Sequence, residues 1–249
     1  MATARIQHRL IAAVCLAAVG GCGGEPFITE GERQADVVNG TVDTTHHAVA
    51  ALVYQGQEFC TGTLIAPRTV LTAGHCLKET GFGAADISVF FGNKVGGSGS
   101  SIEAAKWKAH PSYYLEPDGT PMNDVSVIVL AEDGPVAPMA WQSSPLPNIV
   151  GKSVLMVGYG VTSATKQTGE GTRRQVTAKV SDQDSTFIYR GGTKSGTCQG
   201  DSGGPTLLNE NGKLTVVAVT SFGDQTCVKL GGNTRVDLYA SFISQFITK

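Results

Sequence analysis

Cys198-Gln199-Gly200-Asp201-Ser202-Gly203-Gly204-Pro205 is compatible with two opposite folds. Gly200-Asp201-Ser202-Gly203-Gly204 fits the Gly-x-Ser-x-Gly turn that raises a serine between a strand and a helix at the top of an α/β sheet. That arrangement needs a histidine after the serine and a helix directly behind the turn. His8, His46, His47, His75 and His110 all precede Ser202, and Pro205 opens a strand-like run instead of a helix. The order that remains is histidine, then acid, then serine.

Three segments supply that order: Leu71-Thr72-Ala73-Gly74-His75-Cys76, Asn123-Asp124-Val125-Ser126-Val127-Ile128, and the stretch around Ser202. A serine hydroxyl is a poor nucleophile at neutral pH and needs a base within hydrogen-bond reach, a role suited to imidazole. His75 is the candidate base. A carboxylate on the far ring nitrogen would fix its tautomer and stabilise the imidazolium. Asp124 is the candidate for this, ahead of Asp36 and Asp43, because it leads into the buried-looking run Val125–Leu130. Alone, each residue has an ordinary reading as a packed histidine or a strand-end cap; together and in order they do not. The other histidines, His46, His47 and His110, read as surface or loop residues. The glycines around Ser202 let backbone approach a substrate, so the Gly200 and Ser202 N–H groups are candidate donors to a developing oxyanion.

The segments lie in an all-β rhythm. Val49–Tyr54, Thr63–Ala66, Val70–Thr72, Ile87–Phe91, Val125–Leu130, Val154–Val157, Gln175–Val180, Thr206–Leu208 and Val216–Ser221 are short and β-branched, separated by turn signals such as Pro117-Asp118-Gly119 and Asn211-Gly212. Many such strands imply a barrel or sandwich. Val236, Tyr239, Phe242, Ile243, Phe246 and Ile247 recur at helical spacing and predict a C-terminal helix from about Asp237. A net charge of -2 with no Lys/Arg-rich run excludes an electrostatic footprint for nucleic acid.

Arg5 and Arg9, the apolar run Leu10–Val19 and the small residues behind it have the layout of a secretory signal peptide over residues 1–21. The run falls short of the roughly 20 apolar residues that span a bilayer. Val19-Gly20-Gly21-Cys22 resembles a bacterial lipobox, which makes Cys22 a lipid attachment site at the envelope; the plainer reading leaves Cys22 incidental. Residues 22–36 then form a linker or propeptide. Beyond Cys15 and Cys22 there remain Cys60, Cys76, Cys198 and Cys227. Four cysteines allow three connectivities, and the sequence-local choice in an oxidising compartment pairs Cys60 with Cys76 and Cys198 with Cys227. With no closely spaced cysteine pair and no His-Glu-x-x-His run, neither a metal nor a cofactor is expected.

The blocks around His75 and Ser202 resemble those of the trypsin/chymotrypsin serine proteases, over residues 37–249. The resemblance implies two packed six-stranded antiparallel β-barrels with a C-terminal α-helix, and the triad His75, Asp124 and Ser202 at their junction. It also implies endopeptidase activity through an acyl-enzyme, protein or peptide substrates, proteinaceous inhibitors as partners, and a monomer. Both local disulfides match bridges common in the family, whereas a third, frequent one has no cysteines here. Val37-Val38-Asn39-Gly40 resembles the N-terminus that family zymogens expose on cleavage, whose amino group turns inward to the residue at Asp201. Asp36 stands where the family usually has Arg or Lys, which argues against a tryptic activator. The cut would also free the enzyme from its lipid anchor. Gly196 stands where trypsin-like members carry an acid. With Thr197 beside it, Gly223 on the wall and Gly231 near the floor, this predicts an uncharged pocket for apolar or aromatic side chains, unless Lys194 or Lys229 biases it toward acids. Ser221-Phe222-Gly223 resembles the segment that pairs with substrate as an added strand. Asn93–Ser101 lacks the acids of the family's calcium loop. The competing functions are a non-catalytic binding module and a secreted esterase; the intact triad favours the peptidase.

Overall fold

The computed structural model describes residues 40–191 and 196–247. The expected signal segment 1–21, linker 22–36, Cys22, Val37 and Lys194 lie outside them. Twelve strands of the described residues close into two antiparallel barrels. The first contains β1 (Val49–Tyr54), β2 (Gln57–Ala66), β3 (Thr69–Thr72), β4 (Ser88–Gly92), β5 (Gly99–Ala109) and β6 (Ser126–Leu130). They run in the ring order β1-β2-β3-β6-β5-β4, closed by Ala51 of β1 opposite Phe90 of β4. The second contains β7 (Ser153–Gly158), β8 (Arg174–Gln183), β9 (Phe187–Gly191), β10 (Pro205–Glu210), β11 (Lys213–Gly223) and β12 (Leu230–Arg235). Its ring order is β7-β8-β9-β12-β11-β10, closed by Val154 opposite Leu208. The two rings share one topology, and full closure removes the sheet edges that invite aggregation.

Alternation explains most of these strands, and its failure explains the three that the sequence does not announce. Along β5 the inward positions Ile102, Ala104 and Ala109 are mostly alanine, so the polar outer face dominates the pattern. β9 is a five-residue run containing an arginine. β12 carries Gly231-Gly232 where strand propensity would want branched side chains. Both glycines are sterically required: a Cβ on Gly231 would lie 2.6 Å from Arg190 Nε, and one on Gly232 2.2 Å from the Phe222 ring.

One apolar cluster runs through the seam between the barrels. It joins Val49, Ala51, Leu71 and Val127 of the first to Val157, Leu207 and Val219 of the second, and continues into Val236, Tyr239, Phe242 and Ile243. The last three belong to the C-terminal helix, a tight turn Asp237–Tyr239 leading into α-helix Ala240–Ser244, with the predicted face buried. A polar clamp crosses the same seam. Arg173, just before β8, donates to Asp43 at 2.9 Å, to the Val49 carbonyl of β1 at 3.2 Å and to Asn93 after β4 at 2.9 Å. Neither side chain of the Arg173–Asp43 pair is exposed.

Burial opposes ionisation of Asp43, but hydrogen bonds from His46 and Thr45 win and hold its carboxyl well below the usual carboxylate range. A lowered carboxylate pKa contributes stability that is complete above about pH 4 and is lost as the pH falls through the lowered value. Arg173→Met leaves that charge buried without its cation. It is expected to cost about 3–5 kcal/mol at pH 7, read from the midpoint of urea unfolding.

Candidate active site

His75 opens a one-turn helix, His75–Lys78, directly after β3. Gly74 before it must be bare, because a Cβ there would come within 3.1 Å of Asp124 Oδ1 and 2.9 Å of the Tyr113 ring. Asp124 follows Asn123, whose φ of +50° turns the chain ahead of β6. The Asp124 carboxylate has no exposure and accepts three hydrogen bonds: from the His75 backbone N–H at 2.8 Å, from His75 Nδ1 at 2.9 Å and from Ser221 Oγ at 2.5 Å. The third comes from the second barrel. Ser221 is the extra residue of a bulge in β11, between the pairs Thr220–Asn233 and Phe222–Gly232, and a bulge re-aims a side chain out of the strand alternation. Burial disfavours the imidazolium of His75, yet the hydrogen bond and charge of Asp124, with Glu79 behind, raise its pKa above the ordinary value. With Nδ1 donating to the carboxylate, Nε2 is left as the acceptor.

The turn carrying Ser202 is gripped from both barrels. Thr61 of β2 donates its N–H to Ser202 O at 2.8 Å and its hydroxyl to Gly200 O at 2.8 Å, while Gly203 N–H donates to Thr220 O of β11 at 2.8 Å. Gly203, at φ +79°, lies so close to the first barrel that a Cβ would stand 2.0 Å from Thr72 Oγ1. Among the described residues the Gly200 and Ser202 N–H groups have no acceptor within the protein. Ser202 Oγ and His75 Nε2 are not hydrogen-bonded in this structure, a contact that in such sites tightens when substrate binds.

Asp201 is 1% exposed and accepts from Gly160 N–H and Cys198 N–H, each at 2.8 Å. Burial pushes its pKa up to about 6 against those hydrogen bonds. Glu58 stands beside it, next to Gly200. Burial, with the charges of Asp201 and Glu170, raises the Glu58 carboxyl to about 8. Asp43, the alternative acid, is engaged by Arg173 and His46 instead. His110 packs edge-on against Tyr239 and Phe242. Among the described residues the one cluster of three candidate metal ligands is Cys60, His75 and Cys76, and its two sulfurs form a disulfide.

A cavity of about 280 Å³ opens beside Ser202, between Thr197–Gln199 on one side and Thr220–Gly223 on the other. The Cys198–Cys227 disulfide joins its walls. Thr197, Ser221, Phe222 and Gly223 line it, whereas Gly196 and Gly231 do not line it and stand against the Arg190 guanidinium behind Thr197 and Cys227. A Cβ on Gly196 would lie 2.1 Å from Nη1 of the buried Arg190, so the glycine is bare because a guanidinium occupies the space. Lys229 is exposed on the adjoining loop. The sequence carries no motif for Arg190, Glu58 or Asp224; a lone cation in the apolar run Phe187-Ile188-Tyr189-Arg190 is the only signal for the first.

Two rings of one topology, with a histidine–aspartate pair and a Gly-Asp-Ser-Gly-Gly turn meeting at their seam, define a serine protease of the chymotrypsin-like fold class. The chain belongs to the trypsin family: the family model described as Trypsin matches residues 37–243. It is similar to the trypsin of Saccharopolyspora erythraea, 32% identical over 195 residues that cover 71% of this chain and 80% of that one. It is likewise similar to brachyurin of Leptuca pugilator, 32% identical over 217 residues, covering 78% and 90%. Among solved structures, mouse neuropsin superposes with a TM-score of 0.71 at 22% identity, over 84% of this chain and 99% of that one, a likeness in fold.

Asp124→Asn removes the carboxylate that supplies the two larger interactions raising the His75 pKa and leaves burial, the largest influence, opposed only by the Glu79 charge. The ring is expected to titrate above 6.5 in the native protein and below it in the variant, as followed by NMR of its carbon-bound protons.

Proposed function

We propose that this chain is an exported serine endopeptidase. Ser202 is its nucleophile, His75 the general base and Asp124 the group that orients the base and stabilises the imidazolium formed during attack. The observation that carries the reading is the fully buried Asp124 carboxylate bonded to both the backbone and Nδ1 of His75, opposite a serine turn with two unused N–H groups. Ser202 Oγ attacks the scissile carbonyl carbon and its proton passes to His75 Nε2. The tetrahedral oxyanion is received by the Gly200 and Ser202 N–H groups. His75 then protonates the leaving amine, and water releases the acyl group by the same steps in reverse order.

Activation by cleavage before Val37 is part of the proposal. Asp201 and Glu58 put two acids in one buried place, and an arriving ammonium would favour their charged forms. Before the cut, the loop from Cys198 to Ser202 lacks that partner. Residues 1–21 as signal peptide, Cys22 as lipid anchor and loss of that anchor on activation complete the reading of residues 1–36. Among the described residues no helix is long and apolar enough to cross a membrane.

A fluorophosphonate reagent is expected to label the mature protein once per chain, and Ser202→Ala to abolish labelling. A mature protein that takes no label would favour the non-catalytic binding module. Asp124→Asn is expected to lower kcat about 10⁴-fold. Because the base must be neutral, kcat/KM should rise with pH through the elevated His75 pKa. A form made uncleavable at Asp36-Val37 should label at least ~100-fold more slowly, the scale of one lost oxyanion donor.

A further inference from the structure

Arg190 lies opposite Gly231 in the β9–β12 pair and is 1% exposed. Its Nη2 donates to Thr197 O at 3.0 Å, with Thr197 Oγ1 at 3.3 Å and Cys227 O at 3.5 Å. Its Nε and Nη1 have no acceptor. A guanidinium has five donors and stays charged at any pH a protein meets. The two acids whose charge acts on it, Asp224 and Asp201, do so through space, because both are committed to backbone. Asp201 holds the amides of Gly160 and Cys198, and Asp224 those of Thr226, Lys229 and Leu230 together with the Thr226 hydroxyl. A buried cation without a pairing carboxylate is costly, so the site calls for an anion.

The surroundings fix the side from which an anion arrives. Thr197, Cys227 and Gly223 form the wall between the guanidinium and the cavity: Nη2 contacts the first two, and a Cβ on Gly223 would stand 3.9 Å from it. Thr197 and Cys227, which Nη2 contacts, both line the cavity whose mouth holds Ser202. A carboxylate on a short stem reaching down this cavity meets the fork of donors it pairs with best. A phenyl or leucyl group would leave the charge unanswered, and a lysine or arginine would meet a like charge.

We propose that Arg190 determines the specificity of this pocket, which takes the carboxylate side chain of a Glu or Asp residue immediately before the scissile bond. The proposal rests on the endopeptidase reading and replaces the apolar preference expected from Gly196 alone.

The test uses the mature full-length enzyme, with active serines counted by fluorophosphonate titration. The substrates are peptide amides identical except for Glu, Asp, Gln, Phe, Leu or Arg before the cut. Expected is a kcat/KM per active serine at least ~100-fold higher for Glu or Asp than for Gln and Phe, since a site built to pair a group rejects its uncharged analogue. Arg190→Met should erase the Glu-over-Gln ratio and raise cleavage after Phe, and Arg190→Lys should retain part of the ratio. A native enzyme preferring Phe, Leu or Arg, or a Glu-over-Gln ratio that survives Arg190→Met, overturns the proposal. If Arg190→Met does not fold, the ranking by the native enzyme decides alone. Absence of titratable serine would fell the endopeptidase reading, and the pocket assignment with it, before any substrate is compared.

Discussion

Asp124 is a carboxylate without solvent, and burying such a group is costly unless its hydrogen bonds are made within the protein. Its three donors come from both halves of the molecule: the His75 ring and amide from the first barrel, the Ser221 hydroxyl from a bulge in the second. The orientation of the imidazole and the registration of the two barrels are therefore one constraint. Sliding the barrels would withdraw the Ser221 hydroxyl from Oδ2, the same oxygen that holds His75 Nδ1. Thr61 reinforces this at the next layer. From β2 it holds the carbonyls of Ser202 and Gly200, and it accepts the Tyr159 N–H behind β7.

Much of this was legible in residue order. The position of every histidine before Ser202 excluded the strand–turn–helix elbow, and the spacing of Val236, Tyr239, Phe242 and Ile243 located the terminal helix. The two disulfides follow the sequence-local pairing. Two of the strands that escaped detection, β5 and β12, carry alanine or glycine at buried positions, where a pattern of apolar and polar residues has little to register, and the third, β9, is a short run holding an arginine. Ser221 was placed by its neighbours as a pocket residue. Its bond to Asp124 depends on a one-residue bulge, which leaves no trace in side-chain chemistry.

Gly196 shows how a bare position can mislead about its surroundings. A glycine at the end of a pocket reads as open space, but bareness can equally mean that another side chain fills the volume. Here Arg190 of the preceding strand, β9, supplies it. The same logic applies at Gly74 and Gly203, where the missing Cβ makes room for Asp124 and for Thr72. At Gly74 the occupant explains the residue, and at Gly203 the φ of +79° adds a backbone requirement of its own.

The Cys198–Cys227 bridge ties one wall of the cavity to the other across 29 residues that include the Ser202 turn. Its integrity is thus a property of the surrounding thiol chemistry as much as of the fold. In glutathione-rich cytosol, where such bonds are held reduced, the walls would be uncoupled and the recognition surface left unassembled. The export proposed above would therefore do more than deliver the protein: an oxidising compartment would close the last covalent link of the cavity.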